Sequence, residues 1–451
     1  MTLVEDRQEQ RLEEVRGLVE RGEVRNAIAL LPALHPADRA ELIAWLSDEQ
    51  REPILRALSR EELAQILQHL EPEPRQHLVR RFPPEELGPL LDLVPDDVAA
   101  DILQELPRDH VPPVLARMSE PARVERLLLH EEETAGGRMT PDLLALGRDW
   151  TVEEAIQYLR TQKPGVESPY YLYVVDPRGR LEGVVSLRHL IVADPGTRIG
   201  EIMDRDVISV EVGTDQEVVA EKMRHYDLLA LPVVDERGRL VGVVTIDDVL
   251  DVQVEEATED MYRMAGLAGH ETLFRPIRKS VPPRLGWLSL NLLTAFAAAA
   301  VVNLFEGVIA QAAALAVFMP VIAGMGGNAG IQTITLVVRS LALGEIDLDD
   351  AKHVLRREIA IALLNGLALG LVVGMTAWLW KGNPWLGAVA GTAMLLNIAN
   401  AVTAGVLIPL GLKAIGVDPA LASGILVTTF TDVVGFLTYL GFAALLLTRL
   451  A

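Results

Sequence analysis

The chain of 451 residues contains no cysteine. Disulfide bonds and thiolate metal sites are therefore excluded, and the redox compartment stays open. Histidine is absent from the long apolar runs in the C-terminal part of the chain. Zinc and copper are consequently poor candidates for any ion bound within those runs.

Basic residues are scarce relative to acids. The chain has 41 Lys and Arg against 63 Asp and Glu, a formal net charge of −22. Nucleic-acid binding needs a basic surface for phosphates, so the charge argues against it and favours attraction of cations. The N-terminus, MTLVEDRQEQRLEE, lacks an apolar core, so we expect no cleaved signal peptide and a cytoplasmic location for about the first 280 residues.

Sequence motifs of the common enzyme classes are missing as well. His130-Glu131 and His270-Glu271 have no second histidine at the spacing of a HExxH zinc site. No G-x-x-x-x-G-K-[ST] phosphate loop occurs. We therefore expect a protein that is not an enzyme.

Five long apolar runs fill the C-terminal part, at roughly residues 285–305, 312–338, 354–380, 385–412 and 420–447. Each is long enough to span a bilayer. Eight basic residues flank the runs on one side and two on the other, which predicts cytoplasmic N-terminal domains and an external C-terminus. The eight are Arg278, Lys279, Arg284, Arg339, Lys352, Arg356, Arg357 and Lys413, and the two are Lys381 and Arg449.

The last run carries a single charge, Asp432, near its middle. A carboxylate at that depth costs about 3 kcal/mol or more unless it faces water, a partner or an ion. Thr428 and Thr431 share its helical face, and Thr429 and Thr438 are near in sequence. We therefore interpret Asp432 as a candidate ion-binding residue. The alternatives are that it is protonated, that it is hydrogen-bonded between helices, or that it is the proton site of a coupled carrier.

The second run is interrupted by GMGGNAG at residues 324–330, after Pro320. This pattern predicts a broken or closely packed helix beside a pathway. Amide side chains add oxygen ligands at membrane depth: Asn328, Gln332, Asn365, Asn397 and Asn400. Carboxylate, amide, hydroxyl and carbonyl oxygens favour hard cations, and the ligand chemistry alone leaves Mg²⁺, Ca²⁺ and Mn²⁺ open.

The N-terminal part contains a twelve-residue repeat that occurs eight times between residues 35 and 130. Each block opens with helix-starting residues and carries apolar residues at fixed positions, as in Leu42, Ile43 and Leu46. Short helices of this kind cannot bury an apolar face alone, so the repeat predicts an all-α solenoid. Its outward face is acidic and includes Asp97 and Asp101.

A second repeat follows. VVDPRGRLEGVVS at residues 174–186 recurs as VVDERGRLVGVVT at residues 233–245, a strand, tight turn and strand. The segment resembles a tandem CBS pair, which implies a regulatory α/β module; a purely dimerising scaffold is the alternative. Thr245 and Asp248 fit the family's nucleotide signature, whereas Ser186 is followed by His189, so ATP is a possible ligand of the cleft.

Residues 251–271 form an acidic stretch with one basic residue, Arg263. Like charges four residues apart repel on a helix, for example Asp251 with Glu255 and Glu256 with Asp260. A divalent cation would remove this repulsion. We therefore predict an acidic connecting helix that moves when the cation leaves.

Taken in order, these segments resemble the MgtE family of magnesium channels. The matching pieces are EEETAGGRMTP (131–141), TDQEVVAEKM (214–223), VTIDDVLDV (244–252), EEATED (255–260), GGNAGIQ (326–332), GVDPALASG (416–424) and TTFTDVVGF (428–436). The fold implied is a multidomain membrane protein, with a helical domain at 1–133, tandem CBS domains at 134–250, a plug helix and linker at 251–283, and a five-helix transmembrane pore domain at 284–451.

The resemblance implies a homodimer, joined through the CBS and transmembrane domains, that conducts Mg²⁺ across the cell (inner) membrane and is closed by cytoplasmic Mg²⁺. A proton-coupled or less selective Mn²⁺/Co²⁺ carrier is the alternative function. The residues implied are Asp432 and Thr428 in the pore, Asp418 and Glu259 at the cytoplasmic mouth, and Asp97, Asp101, Glu217, Asp227, Asp248, Asp251, Glu256 and Asp260 for regulation. The chain departs from the family at Gln65 and Gly424, where a regulatory acid and an asparagine occur in other members.

Overall fold

The computed structural model describes residues 5–162, 171–269, 271, 277–421 and 423–450. The chain divides into two compact units, residues 1–252 and residues 253–451, called here the first and the second unit.

Short helices build the N-terminal part of the first unit. They are α1 (Glu5–Glu20), α2 (Val24–Leu30), a 3-10 turn (Leu31–Ala33), α3 (Pro36–Trp45), α4 (Asp48–Leu55), α5 (Arg60–His69), α6 (Pro72–Val79), α7 (Pro84–Leu91), α8 (Asp96–Gln104), α9 (Val111–Leu115) and α10 (Pro121–Leu127).

The twelve-residue repeat explains where these helices start and how they stack. Ser47 and Ser59 form capping boxes with Gln50 and Glu62, which satisfy free amides at the helix starts. Helices pack on the next but one along the chain, α3 on α5 and α5 on α7, with α6 on α8 in a second row. The predicted all-α solenoid is confirmed.

The rest of the first unit alternates strands and helices. Its elements are α11 (Ala135–Arg138), β1 (Ala145–Gly147), α12 (Val152–Gln162), β2 (Tyr171–Val175), β3 (Leu181–Ser186), α13 (Leu187–Val192), α14 (Ile199–Ile202), β4 (Val210–Glu211), α15 (Gln216–His225), β5 (Ala230–Val234) and β6 (Leu240–Thr245).

The two CBS repeats have the same sheet topology. The strand orders are β1-β2-β3 and β4-β5-β6, each with one parallel and one antiparallel pairing. The β2–β3 and β5–β6 turns place Gly179 and Gly238 at φ +80° and +72°, which favours glycine over other residues. The predicted tandem CBS module is confirmed.

One apolar core joins the solenoid to the second CBS repeat. It extends from Leu12 to Val252, whereas the first CBS repeat has a core of its own around Leu146 and Val174. Residues of α8 such as Leu103 therefore share a core with Val249 at the start of α16 (Ile246–Met264). The acidic helix begins at Ile246 rather than near residue 251 because Val249 and Val252 are buried in this core.

The second unit is all-α. It contains the rest of α16, then α17 (Ile277–Leu304), α18 (Glu306–Gln311), α19 (Ala314–Ala342), α20 (Ala351–Lys381), α21 (Pro384–Ala414), α22 (Ser423–Leu445) and α23 (Leu447–Leu450). Within the described residues, five helices are long and apolar enough to cross a membrane, namely α17, α19, α20, α21 and α22. The prediction of five spanning helices is confirmed.

Helix α21 is the centre of this bundle and packs on α19, α20 and α22. Helix α17 packs mainly on α22 and leaves most of its surface uncovered. Helix α19 runs unbroken through residues 324–330, so the glycine-rich segment is closely packed and the helix is not interrupted there. Gly326 lies against Asn397 and Gly330 against Val427, which explains why small residues are needed.

Helices α20 and α21 approach each other through facing glycines. A Cβ added at Gly391 would lie 2.7 Å from the Gly370 carbonyl oxygen, and one added at Gly370 would lie 2.6 Å from the Gly391 oxygen. Both atoms met are backbone atoms, so a side chain could be accommodated only if the helices separated.

Gly391→Val should therefore lower the stability of the bundle by about 1–3 kcal/mol through overpacking. Thermal unfolding of the purified protein in detergent measures this loss. Gly411→Val on the same helix is the matched control, because an added Cβ there meets no atom within 4 Å. Equal melting temperatures for the two variants would contradict the glycine-mediated contact.

Candidate cation-binding sites

Helix α22 places Asp432 near its middle, with a half-buried carboxylate. Among the described residues, no side chain or backbone amide donates a hydrogen bond to it and no basic group pairs with it. A carboxylate in a spanning helix is costly without such a partner. The carboxylate thus remains free to face an ion or water.

The threonines around Asp432 are bonded to their own helix. Thr428 Oγ1 donates to the Gly424 carbonyl oxygen at 2.8 Å, and Thr431 Oγ1 donates to that of Thr428 at 2.8 Å. Thr429 and Thr438 make the same kind of bond. Since each hydroxyl proton is used, these side chains offer lone pairs, which suit a cation or the protons of its hydration water.

Thr428 also lines a cavity of about 420 Å³ between helices of the second unit. Its walls combine apolar side chains with a few polar groups: Met261, Met264, Ala265, Asn291, Ile331, Ile334, Thr335, Gly424, Ile425 and Thr428. The glycine at position 424 contributes no side-chain ligand to this wall. Met261 and Met264 come from α16, so the acidic helix closes one side of the cavity.

The two acids predicted for the cytoplasmic mouth, Asp418 and Glu259, come together around a guanidinium. Arg263 pairs with both of them, and Asp418 Oδ1 also accepts a hydrogen bond from the Ala420 amide at 2.8 Å. This bridge is not predicted by the sequence pattern. The available signal was that Arg263 is the one basic residue of the acidic stretch.

Asp260, next to this bridge, is crowded by other acids. Burial and the charges of Asp418 and Glu256 raise the pKa of Asp260 to about 6. Arg263 opposes this shift without cancelling it. The second unit therefore holds more negative charge at this place than its single arginine neutralises.

A second group of acids lies within the first unit, where α8 faces the start of α16. Burial, with the charges of Asp248 and Asp101, raises the pKa of Asp97 to about 8. Burial, with the charges of Asp247 and Asp101, raises the pKa of Asp248 to about 7. Asp97 Oδ1 is buried and has no hydrogen-bond partner among the described residues. Repulsion between close carboxylates is the physical reason for both shifts, beyond burial itself.

Three further candidates for regulation lie at the protein surface. Glu217, Asp227 and Asp251 are exposed, and Asp227 adopts a φ of +51°. Within the described parts of the chain, no three acids or histidines are close enough together to hold a metal ion directly. A cation at these acids would therefore rely on one or two carboxylates and retained water, which is the usual coordination of Mg²⁺.

The two residues of the nucleotide signature are bonded to each other, since Thr245 Oγ1 donates to Asp248 Oδ2 at 2.7 Å. Ser186, the equivalent residue of the first repeat, caps α13 through the His189 amide at 3.2 Å. At the signature positions, the second repeat thus pairs a hydroxyl with a carboxylate, whereas the hydroxyl of the first repeat accepts from a backbone amide. Asp248 belongs both to this pair and to the acid group around Asp97.

These features define a membrane protein in which a solenoid and a tandem CBS module precede a five-helix bundle with a lone carboxylate. Family models match the same segments: "MgtE intracellular N domain" at residues 34–133, "CBS domain" at 135–196 and 199–255, and "Divalent cation transporter" at 319–442. Two curated relatives are similar over most of the chain. The magnesium transporter MgtE of Thermus thermophilus is 46% identical over 330 residues, 72% of this chain and 73% of that protein. The magnesium transporter MgtE of Enterococcus faecalis is 39% identical over 326 residues, which are 72% of this chain and 72% of that protein.

Solved structures agree with this assignment. The cytosolic domain of the Mg²⁺ channel MgtE in complex with ATP matches 53% of this chain and 99% of that domain, with 42% identity and a TM-score of 0.50. The structure of the soluble part of a magnesium transporter matches 55% of this chain and 99% of that structure's chain, with 33% identity and a TM-score of 0.50. The chain belongs to the MgtE family of divalent cation transporters.

The raised pKa values of Asp97 and Asp248 predict a pH dependence of the first unit. The folded unit binds protons that the unfolded chain releases, so its stability falls as pH rises from about 4 to about 8. Without divalent cations, the full-length protein should resist proteolysis in this unit better at about pH 6 than at about pH 8.5. Millimolar Mg²⁺ should restore resistance at the higher pH.

Asp97→Asn is the matched variant for this measurement, because it removes the carboxylate and keeps the shape. Its protease resistance should depend less on both pH and Mg²⁺. A variant with the same dependence as the parent protein would contradict the role of this buried acid.

Proposed function

We propose that this protein is a Mg²⁺ channel that carries magnesium across the cell membrane into the cytoplasm and is closed by cytoplasmic Mg²⁺. The observation that carries the proposal is Asp432, a carboxylate in a spanning helix without a partner among the described residues. Mg²⁺ holds its water shell tightly and binds proteins through one or two carboxylates. Asp432 and its symmetry mate in a homodimer would hold the hydrated ion, with Thr428 beside it.

The orientation follows from the distribution of charge. Basic residues are concentrated on the side of the bundle where the N-terminal domains join it, so these domains lie in the cytoplasm and the C-terminus outside. We assign the homodimer contacts to the CBS and transmembrane domains. We assign the exposed acids Asp227 and Asp251 to a cation site that joins the two copies, and the exposed Glu217 to a separate regulatory site.

Closure rests on the crowded acids. Like charges crowd together at two places: Asp97, Asp101 and Asp248 in the first unit, and Glu256, Asp260 and Asp418 in the second. Mg²⁺ would compensate them and hold the acidic helix in its closed position. When Mg²⁺ is scarce, repulsion of roughly 1 kcal/mol per close pair in water, and more near a protein surface, favours the open arrangement.

The CBS cleft is also assigned a ligand. A relative's cytosolic domain was solved with ATP, and this chain keeps the Thr245 and Asp248 pair in its second repeat. We propose that ATP binds there. Because Asp248 also faces Asp97, nucleotide binding would be linked to the same acids that respond to Mg²⁺.

Asp432→Ala should reduce Mg²⁺ flux into proteoliposomes by roughly a hundredfold, the factor that corresponds to about 3 kcal/mol of lost ion stabilisation. The variant should still elute as the parent oligomer in detergent. Undiminished flux would contradict the assignment of Asp432 to the pore. If flux through the parent protein requires a pH gradient, the protein is a proton-coupled carrier. If Mn²⁺ or Co²⁺ flux equals Mg²⁺ flux, the protein is the less selective divalent cation carrier.

The absence of cysteine makes a direct accessibility test available. Asp432→Cys introduces the single thiol of the chain, and a water-soluble methanethiosulfonate reagent should modify it from the aqueous side. Leu371→Cys, at an exposed apolar position of α20 that would face lipid, is the matched control and should react far more slowly. Equal rates would contradict a water-filled path at Asp432.

Replacing Asp248, Glu256 and Glu259 together with their amides should leave currents less inhibited by Mg²⁺ on the cytoplasmic face. The reason is that fewer carboxylates remain for the closing ions to bridge. Patch-clamp recording of the inhibition curve measures the change. A triple control with the same change of charge at the exposed Glu61, Glu85 and Glu86 should keep the parent curve, and an unchanged curve in the first variant would reject the feedback model.

A further inference from the structure

Helix α21 buries one carboxamide at the centre of the bundle. Asn397 is 1% exposed, and its Nδ2 donates to the Ile322 carbonyl oxygen of α19 at 2.8 Å. Its Oδ1 is buried and has no hydrogen-bond partner within the described parts of the chain. Leaving a carbonyl oxygen unpaired inside a protein lowers stability, so such a group calls for an explanation.

Two glycines hold this carboxamide from opposite helices. A Cβ added at Gly435 of α22 would lie 2.7 Å from Asn397 Oδ1, and one added at Gly326 of α19 would overlap Asn397 Nδ2. The flat amide thus fills the gap between α19 and α22. Any larger side chain at either glycine would have to push one helix away.

The contact lies one turn from Asp432 on α22. Residues three apart share a helical face, so Gly435 and Asp432 point to similar sides of the helix. On either side of Asp432, α22 is fixed to α19 by Val427 against Gly330 and by Tyr439 Oη, which donates to the Leu315 carbonyl oxygen at 3.0 Å. Among these contacts, the one between Gly435 and Asn397 is closest in sequence to the carboxylate.

We propose that Asn397 is a positioning residue for Asp432: its carboxamide sets the spacing of α19 and α22 and thereby the place of the carboxylate in the ion path. This inference rests on the proposed function, because it presumes that Asp432 meets the permeating ion. This role does not require Asn397 to contact the ion, although its amide is one of the oxygen ligands that the sequence suggests at membrane depth. Its amide acts through the backbone of α22.

Reversal potentials of Mg²⁺ against Na⁺ in planar bilayers test this role, because ion selectivity depends on where the carboxylate stands. Asn397→Ala leaves a gap beside Gly435, and Gly435→Ala forces the amide and α22 apart. Each single variant should lower the permeability ratio of Mg²⁺ to Na⁺ about tenfold, a shift of about 1.4 kcal/mol in relative barrier. The double variant should recover most of the ratio, since the added methyl group occupies space that the amide vacated.

A second readout follows the position of residue 432 without conduction. In the Asp432→Cys background, Asn397→Ala should change the rate of methanethiosulfonate modification about tenfold. Asn303→Ala is the matched control, because this asparagine is exposed near the end of α17 and has no part in the proposed ion path, and it should leave the permeability ratio unchanged.

Thermal stability measured on the same samples separates positioning from folding. Variants that melt earlier but keep the parent reversal potential and modification rate would make Asn397 a structural residue only and overturn the inference. Failure of both single variants to fold would overturn it as well. If Asp432→Ala itself conducts normally, the proposed function fails; if Asp432→Ala is inactive and the Asn397 variants stay selective, the positioning role alone fails.

Discussion

The structure depends on one physical constraint, the presence of partly buried carboxylates with too few basic partners. A carboxylate taken out of water needs a proton, a cation or several hydrogen bonds. Asp432 has no partner among the described residues of the bundle, and Asp97 keeps a buried oxygen unpaired in the first unit. A chain with net charge −22 cannot supply enough basic groups from within. In the proposed function, a mobile, strongly hydrated dication would meet the same need in both units.

Arg263 is the exception that clarifies this arrangement. Its guanidinium pairs with Glu259 and Asp418, so the chain supplies a permanent cation at one acid group and leaves the others to ions from solution. The acidic helix is thus held at its C-terminal end by an internal ion pair, and its other acids remain available for a response to magnesium.

Periodicity predicted most of the fold. The twelve-residue repeat gave the helix starts of the solenoid because Ser47 and Ser59 act locally as caps, and the two strand-turn-strand repeats predicted matching sheets because a glycine is needed in each turn. Hydropathy located the five spanning helices. In each case the signal lies within one continuous segment of the chain.

The contacts that shape the site could not be read from the sequence because they join distant segments. Arg263 meets Asp418 across 155 residues, and Asn397 meets Ile322 across 75. The glycine-rich segment of α19 is compatible in sequence with either a broken or a closely packed helix, and its distant neighbours Asn397 and Val427 explain why it contains small residues. Family resemblance implies a regulatory role for both Asp97 and Asp248, but no local pattern in the sequence links α8 to the start of α16.

A high-resolution map of the full-length dimer in millimolar Mg²⁺ tests the central claim most directly. In this map, the two Asp432 carboxylates should face a shared water-filled path on the two-fold axis, and density for a hydrated ion should lie between them. Asp432 turned toward protein groups, with no aqueous path beside it, would contradict the account.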